Sequence, residues 1–146
     1  MDTRLLSLAA VTSFVLGILT GCNMVTGKDD ADAVARQLFG SLQTGDYDRA
    51  ISFYSPRFFE KTPKDDWVQN LKTVSSRLGD LQAFQLQSWN VQKNVGTSAS
   101  GTFYQLQYRV TYARYPATET LVLYRPLSGG DIKVLGHQIN SEGFFR

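Results

Sequence analysis

The sequence has few of the residues that most directly mark chemistry: its 146 residues include one cysteine and one histidine. A single cysteine excludes an internal disulfide and a multi-cysteine metal site. The sequence also has no long run of residues with the same charge, and its 15 basic residues nearly balance its 13 acidic ones. A nucleic-acid-binding protein would concentrate Lys and Arg on one face. We therefore expect no nucleic-acid partner, no metal and no dissociable cofactor.

The amino-terminal segment has the pattern of a secretory signal peptide. A cationic start that includes Arg4 precedes a mostly apolar stretch at 5–19, and small residues follow it. This stretch is shorter than the roughly 20 residues that a membrane-spanning helix requires. We expect residues 1–21 to be a removable leader rather than a permanent transmembrane helix.

The only cysteine lies directly after this segment, in Leu19-Thr20-Gly21-Cys22. The tetrapeptide resembles the lipobox of bacterial lipoproteins, which implies cleavage between Gly21 and Cys22. The resemblance also implies that Cys22 carries diacylglycerol and an acyl chain such as palmitate, which would hold the protein to a membrane. Asn23 replaces the Asp of the enteric inner-membrane retention signal, which favours the outer membrane, facing the periplasm.

A single folded domain is expected at 29–146, after a lipidated tether at 22–28 that has no periodic apolar pattern. Three helices are predicted at the start of the domain, because apolar residues recur there at helical spacing. The apolar stripes cover 34–42, 47–54 and 67–78. Asp29, Asp30 and Asp32 are expected at the positive end of the first helix. Asp46 and Thr62 are the expected caps of the second and third helices.

After Gly79 the apolar period changes to two, which predicts β-structure. The alternation slips between Leu86 and Trp89, as a β-bulge would cause. A hairpin turn is predicted at 128–131. The four predicted strands cover 81–95, 102–112, 118–125 and 132–140.

Helices followed by antiparallel strands predict an α+β domain, with three N-terminal helices packed on one face of a curved sheet of about four strands. The residues Thr44-Gly45-Asp46-Tyr47, Trp67, Leu78-Gly79 and Gly136 give the chain a resemblance to the nuclear transport factor 2-like superfamily. The resemblance implies the cone-shaped fold of that superfamily. It leaves activity open, because one fold hosts many functions.

Aromatic residues supply the candidate ligand-binding surface. A curved sheet closed by helices can leave a cleft at the wide end of the cone, and tyrosine suits the rim of such a cleft. The competing interpretation is that these rings fill the core. The candidate ligand-binding residues are Trp67, Trp89, Tyr104, Tyr108, Tyr112 and His137.

His137 is the only candidate for a histidine general base, and it would need a partner to orient it. Strict alternation places it on the face opposite Val134. The nearby acids Asp131 and Glu142 belong to a turn and to the final segment. We therefore expect no acid–base dyad and no catalytic residue.

Two further sets of charged residues have simpler explanations than a site. Asp65 and Asp66 are adjacent, but acidic residues at a helix start interact favourably with the helix dipole. Arg109, Arg114 and Arg125 could meet an anion, and we expect them to be solvated on the sheet.

The expected function is that of a non-enzymatic, lipid-anchored envelope protein that binds a small ligand or supports an envelope partner protein. One alternative is a small cone-fold hydrolase or isomerase that uses His137 or an acidic residue. Another is a scaffold component without a pocket. This fold class commonly self-associates, so a homodimer through the open sheet face is also expected.

Overall fold

The described part of the chain begins with helices. The computed structural model describes residues 22–146, with side chains from residue 27 onward. The predicted leader, the cleavage site at Gly21 and the side chain of Cys22 lie outside the described residues. The helices are α1 (Cys22–Gln43), α2 (Tyr47–Ser52), α3 (Pro56–Phe59) and α4 (Lys64–Leu78).

Helix α1 starts earlier than the apolar pattern indicates. Its backbone is helical from Cys22, so the irregular tether expected at 22–28 is not found. Tertiary contacts explain the difference: a Cβ on Gly27 would collide with the ring of Tyr104, and the ammonium of Lys28 lies 5.9 Å from the ring centre of Trp89. These contacts come from residues distant in sequence, which local periodicity does not report.

The caps of α2 and α4 follow from the local sequence with one exception. The Asp46 side chain accepts a hydrogen bond from the Arg49 N–H at 3.0 Å, which confirms its role as the cap of α2. Gly79, at φ 90°, ends α4 as predicted. The cap prediction for Thr62 is wrong, because Pro63 keeps an extended ψ of 146° and occupies the cap position without a side-chain hydrogen bond.

Four antiparallel strands form one sheet in sequence order, and a short 3-10 helix, η1 (Glu142–Phe145), follows them. The irregularity predicted in the first strand is confirmed, since the register shifts between Leu86 and Ser88. The strands are β1 (Leu81–Asn94), β2 (Gly101–Tyr112), β3 (Pro116–Pro126) and β4 (Lys133–Asn140).

Strand β4 contains a bulge that the sequence pattern does not show. Val122 pairs with Gly136 whereas Leu123 pairs with Val134, so Leu135 is an extra residue in β4. The bulge cancels one step of alternation. His137 and Val134 therefore both face the helices, and the expectation that they lie on opposite faces is wrong.

The helices cover one face of the sheet and enclose the core between them. This arrangement confirms the α+β fold, with a fourth helix, α3, that was not predicted. Leu71 of α4 is buried, and Trp67 is partly buried against the same core. The largest fully buried side chains include Tyr108, Phe39, Leu38, Leu78, Leu106, Leu121, Leu123 and Glu119. Glu119 is the one charged residue among these buried side chains.

Candidate functional site

Glu119 is a charged residue at a core position of β3. It falls in the same alternating phase as Ala117 and Leu121, which are buried. Its side chain is 0% exposed. A carboxylate in such a position is costly unless hydrogen bonds compensate it, so its partners define the site.

Hydrogen bonds to neighbouring side chains satisfy this carboxylate. Nε2 of His137 lies 2.7 Å from Oε2 of Glu119, and the hydroxyl of Tyr112 donates to Oε1 at 2.5 Å. On the other side of the imidazole, Nδ1 of His137 lies 2.7 Å from the Tyr54 hydroxyl. We call Tyr54, His137, Glu119 and Tyr112 the buried polar chain.

Strand register brings Glu119 and His137 together. His137 pairs with Leu121, and Glu119 pairs with Ile139. Glu119 and His137 are therefore diagonal neighbours on the core face of adjacent strands, a distance that long side chains bridge. The β4 bulge is what turns His137 to that face.

The connection between α2 and α3 places Tyr54 beside this pair. The Ser55 N–H donates to the carbonyl oxygen of Val134 at 2.8 Å, and the Val134 N–H donates to that of Phe53 at 2.9 Å. This short parallel bridge fixes the backbone of Tyr54 against β4. Its hydroxyl then reaches His137, three residues along the strand.

Both tyrosine hydroxyls in the chain remain protonated at physiological pH. Burial raises the pKa of Tyr54, and the Glu119 charge adds to it. Burial also raises the pKa of Tyr112, and the charge and hydrogen bond of Glu119 raise it further. Each hydroxyl is therefore available as a donor.

Every side-chain oxygen and nitrogen of the buried polar chain has a hydrogen-bond partner. A neutral imidazole has one donor and one acceptor nitrogen. With the proton on Nε2, His137 donates to Glu119 and accepts from Tyr54 through Nδ1. Glu119 receives one donor on each oxygen. No ring nitrogen is left to act on a substrate in this arrangement.

An aromatic wall lies between this chain and solvent. Trp67 packs edge-on against His137 with ring centres 5.6 Å apart, and against Phe58 at 5.0 Å. Phe58 also contacts Tyr54 at 4.8 Å. Nε1 of Trp67 is buried without a hydrogen-bond partner, so this wall contains one unused donor.

A surface cleft of about 300 Å³ lies on the outer side of the wall. Phe58 lines the cleft on one side and touches Tyr54 and Trp67 on the other. Both Glu119 and His137 have fully buried side chains, so a molecule in the cleft would reach them only if Phe58 moved. The cleft lining consists of Arg57, Phe58, Glu60, Lys61, Thr62 and Leu135.

The six candidate ligand-binding residues do not line one cavity. Trp67, Tyr112 and His137 meet at the buried polar chain. Tyr104 packs at Gly27, whereas Trp89 is 51% exposed on the edge strand β1. Tyr108 lies in the core.

Tyr108 belongs to a second, smaller polar cluster. Its hydroxyl donates to Oδ1 of Asp32 at 2.5 Å, and Nε of Arg36 donates to Oδ2 at 2.8 Å. Burial raises the pKa of Asp32, but these two donors outweigh it and hold that pKa below its usual value. Asp32 is thus an internal residue of α1 and does not stand at its positive end as expected.

Glu119 and Tyr54 are site residues that were not predicted from the sequence. The expectation that His137 lacks an acidic partner is wrong, because its partner Glu119 comes from the adjacent strand β3, 18 residues earlier in the chain. The sequence signal for Glu119 is its position between Ala117 and Leu121, in the apolar phase of a strand. For Tyr54, the bridge to β4 leaves no local signal.

The other charged candidates have structural roles. Asp65 and Asp66 lie in the first turn of α4. Arg114 donates to the carbonyl oxygens of Arg77 and Ser76 at the end of that helix, and Arg125 pairs with Asp30 at 3.0 Å. Arg109 is exposed.

Two general features of the described residues bear on function. Across 22–146, no group of three or more His, Cys, Asp or Glu side chains could hold a metal ion. In the same part of the chain, no helix is both long and apolar enough to cross a membrane.

Comparison with solved structures agrees with the cone fold. The chain is similar to a protein from Streptomyces avermitilis described as a "putative dehydratase from the NTF2-like family", with a TM-score of 0.50 and 11% identity. The match covers 82% of this chain and 98% of the other. At this identity the likeness shows the fold alone, which is the cone fold of nuclear transport factor 2-like proteins.

The family follows from the sequence match. Residues 34–137 match the family described as "Protein of unknown function (DUF4019)", and the chain belongs to this family. No curated protein matches the chain. The matched range covers α2 to β3 completely and ends at His137, the last member of the buried polar chain.

Proposed function

We propose that this chain is a lipid-anchored protein of the bacterial envelope whose cone domain has no catalytic role. It supports an envelope partner protein or binds a small ligand at its surface. The observation that carries this proposal is the closed interior: Glu119 and His137 are 0% exposed, and each polar atom of the pair already has a partner.

The closed interior favours a structural role for the buried polar chain. A general base needs a free nitrogen within hydrogen-bond reach of the proton that it removes. In His137 both nitrogens are occupied by neighbouring side chains. A satisfied polar chain of this kind links the connection between α2 and α3 to β2, β3 and β4, and it favours one register of these strands.

The anchor part of the proposal rests on Cys22, the only cysteine, in its lipobox. Covalent diacylglycerol and an acyl chain would hold the protein at the bilayer, because each buried CH₂ contributes about 0.8 kcal/mol. The absence of Asp at position 23 favours the outer membrane, with the domain in the periplasm.

Two single substitutions test the anchor and its location. Cys22→Ser in the full chain should abolish incorporation of labelled palmitate, because serine offers no thiol for the lipid. Asn23→Asp is the matched control: it should keep the label but move the protein to the inner-membrane fraction. Unchanged labelling of the Cys22→Ser protein would contradict the anchor.

A second candidate function is acid–base catalysis as a hydrolase or isomerase, favoured by the 2.7 Å contact between His137 and Glu119. In this function Glu119 would orient the imidazole, and Phe58 would move aside to admit substrate from the neighbouring cleft. Trp67 would offer its free indole N–H to the substrate.

The two candidates differ in whether solvent reaches His137. Because His137 is the only histidine, imidazole modification by diethyl pyrocarbonate reports on this residue alone. We expect native protein to resist modification and Phe58→Ala to become reactive, with Phe145→Ala as an exposed control. Rapid modification of the native protein, together with loss of a turnover reaction in His137→Gln, would favour the enzyme.

A further inference from the structure

Helix α1 runs antiparallel to strand β1. The ammonium of Lys28 lies over Trp89, and the amide of Gln43 donates to the carbonyl oxygen of Gln82 at 2.9 Å. From Lys28 to Gln43 the helix rises about 22 Å at 1.5 Å per residue. From Trp89 to Gln82 the strand covers about 23 Å at 3.3 Å per residue. The helix and the strand therefore span the same length side by side between these two contacts.

This geometry locates the start of α1 near the end of β1. Cys22 lies six residues before Lys28, which is about 9 Å of helix. The same distance is about three residues of strand. Cys22 is therefore close to the level of Gln92, just before β1 ends at Asn94.

The same end of the sheet carries two hairpin turns with exposed apolar side chains. The Leu127 N–H donates to the carbonyl oxygen of Ser100 at 3.1 Å, so the two turns are adjacent. At these turns Val95 is 68% exposed and Leu127 50%, and Trp89, five residues before β1 ends, is 51% exposed. We call Trp89, Val95 and Leu127 the apolar rim. Among the described residues, the one other large hydrophobic side chain so exposed is Phe145.

Charges around the apolar rim nearly cancel. Lys28 pairs with Asp29 at 2.6 Å, and Arg125 pairs with Asp30 at 3.0 Å. The remaining charged residues at this end are Lys93, Asp131 and Lys133, which leave a net charge of +1. A surface that faces lipid through this rim would therefore be attracted mainly by its apolar groups.

We infer that the apolar rim docks on the lipid bilayer. This inference rests on the proposed lipid anchor at Cys22. Because α1 is helical from Cys22 and packs on the sheet from Gly27, no extended linker separates the anchor from the domain. The acyl chains would hold the hairpin end against the bilayer, and an indole such as Trp89 suits the headgroup region.

Fluorescence from Trp89 tests this docking in the lipidated full-length product. Trp67→Phe leaves Trp89 as the only indole, and the protein is reconstituted in phosphatidylcholine vesicles that contain lipids brominated near the headgroup. We expect Trp89 to lose most of its emission to the bromolipid and to be shielded from aqueous acrylamide. Added salt or anionic lipid should change the loss little, because the charges around the rim sum to only +1.

A matched reporter at the opposite end of the sheet serves as control. Phe145→Trp in the Trp67→Phe, Trp89→Phe background places an exposed indole in η1, where bromolipid should have no effect. If Trp67→Phe does not fold, the emission difference between the native protein and Trp89→Phe gives the same readout.

The outcomes separate the docking from the anchor. Quenching of Trp89 but not of the indole at 145 supports docking, and Leu127→Glu should reduce it. A protein that carries palmitate and floats with the vesicles, but whose Trp89 is not quenched, overturns the docking alone. A protein that neither carries palmitate nor floats overturns the anchor and the docking together.

Discussion

Single residues show how this core accommodates polar groups. Tyr108 and Tyr112 lie four residues apart on the buried face of β2, and each hydroxyl finds a carboxylate, Asp32 or Glu119. Buried polar atoms require such partners. The alternation of β2 correctly placed the tyrosines on one face, but their partners come from α1 and β3 and could not be paired from sequence.

Asp32 should make stability depend on acidic pH. Its pKa is lowered in the folded protein, so its contribution is present above the unfolded pKa, about 3.9. That contribution is lost as pH falls through the lower folded value. Asp32→Asn should cost about 1.5–3 kcal/mol at pH 7, as for a hydrogen bond to a charged group.

Denaturant unfolding at neutral and strongly acidic pH measures this effect. The native and Asp32→Asn proteins should differ at pH 7 and converge at acidic pH, where Asp32 is itself neutral. Asp131→Asn, an exposed carboxylate in a turn, is the control and should change little at either pH. A difference that persists at low pH would contradict an electrostatic origin.

Helices and strands were more predictable than the contacts between them. All four strands and the bulge after Leu86 follow from the period-two pattern. Helix α3 has only four residues, too few for periodicity to reveal. The β4 bulge at Leu135 depends on pairing with β3, and it decides which way His137 faces.

Two glycines in the sheet should respond differently to alanine. A Cβ at Gly101 would collide with the carbonyl oxygen of Arg125 and the ring of Tyr124, whereas at Gly136 it would meet Val122 at 3.5 Å, an ordinary contact. Gly101→Ala should therefore lower the free energy of unfolding by about 1–3 kcal/mol. Gly136→Ala should change it by less than about 1 kcal/mol. Equal effects in denaturant titrations would contradict the different contacts described for Gly101 and Gly136.

At the scale of the whole molecule, the helices cover one sheet face and leave the other open. Phe103 and Tyr124 pack on the open face with ring centres 4.9 Å apart. Val122 and Gln105 share a shallow depression there with Asn90. This mixed apolar and amide surface supports the proposed homodimer through the sheet, since two copies could pair apolar side chains and match their amides.

Sedimentation of the protein in detergent tests the homodimer. The native protein should sediment as two copies, and Val122→Lys should give one, because it places like charges opposite each other across the two-fold axis. Lys72→Val, at an exposed position of α4 on the other side of the molecule, is a control that should leave the dimer intact. A native protein that sediments as a single copy would exclude this pairing.

The buried polar chain also constrains the order in which the core can close during synthesis. Tyr112 and Glu119 emerge before β4, which brings His137. Until β4 docks, Glu119 would be an under-compensated carboxylate facing apolar side chains, and a broken buried pair costs about 3–5 kcal/mol. A chain that lacks β4 should therefore gain less from compaction than the full chain does, and the core can close completely only after the last strand has been synthesised.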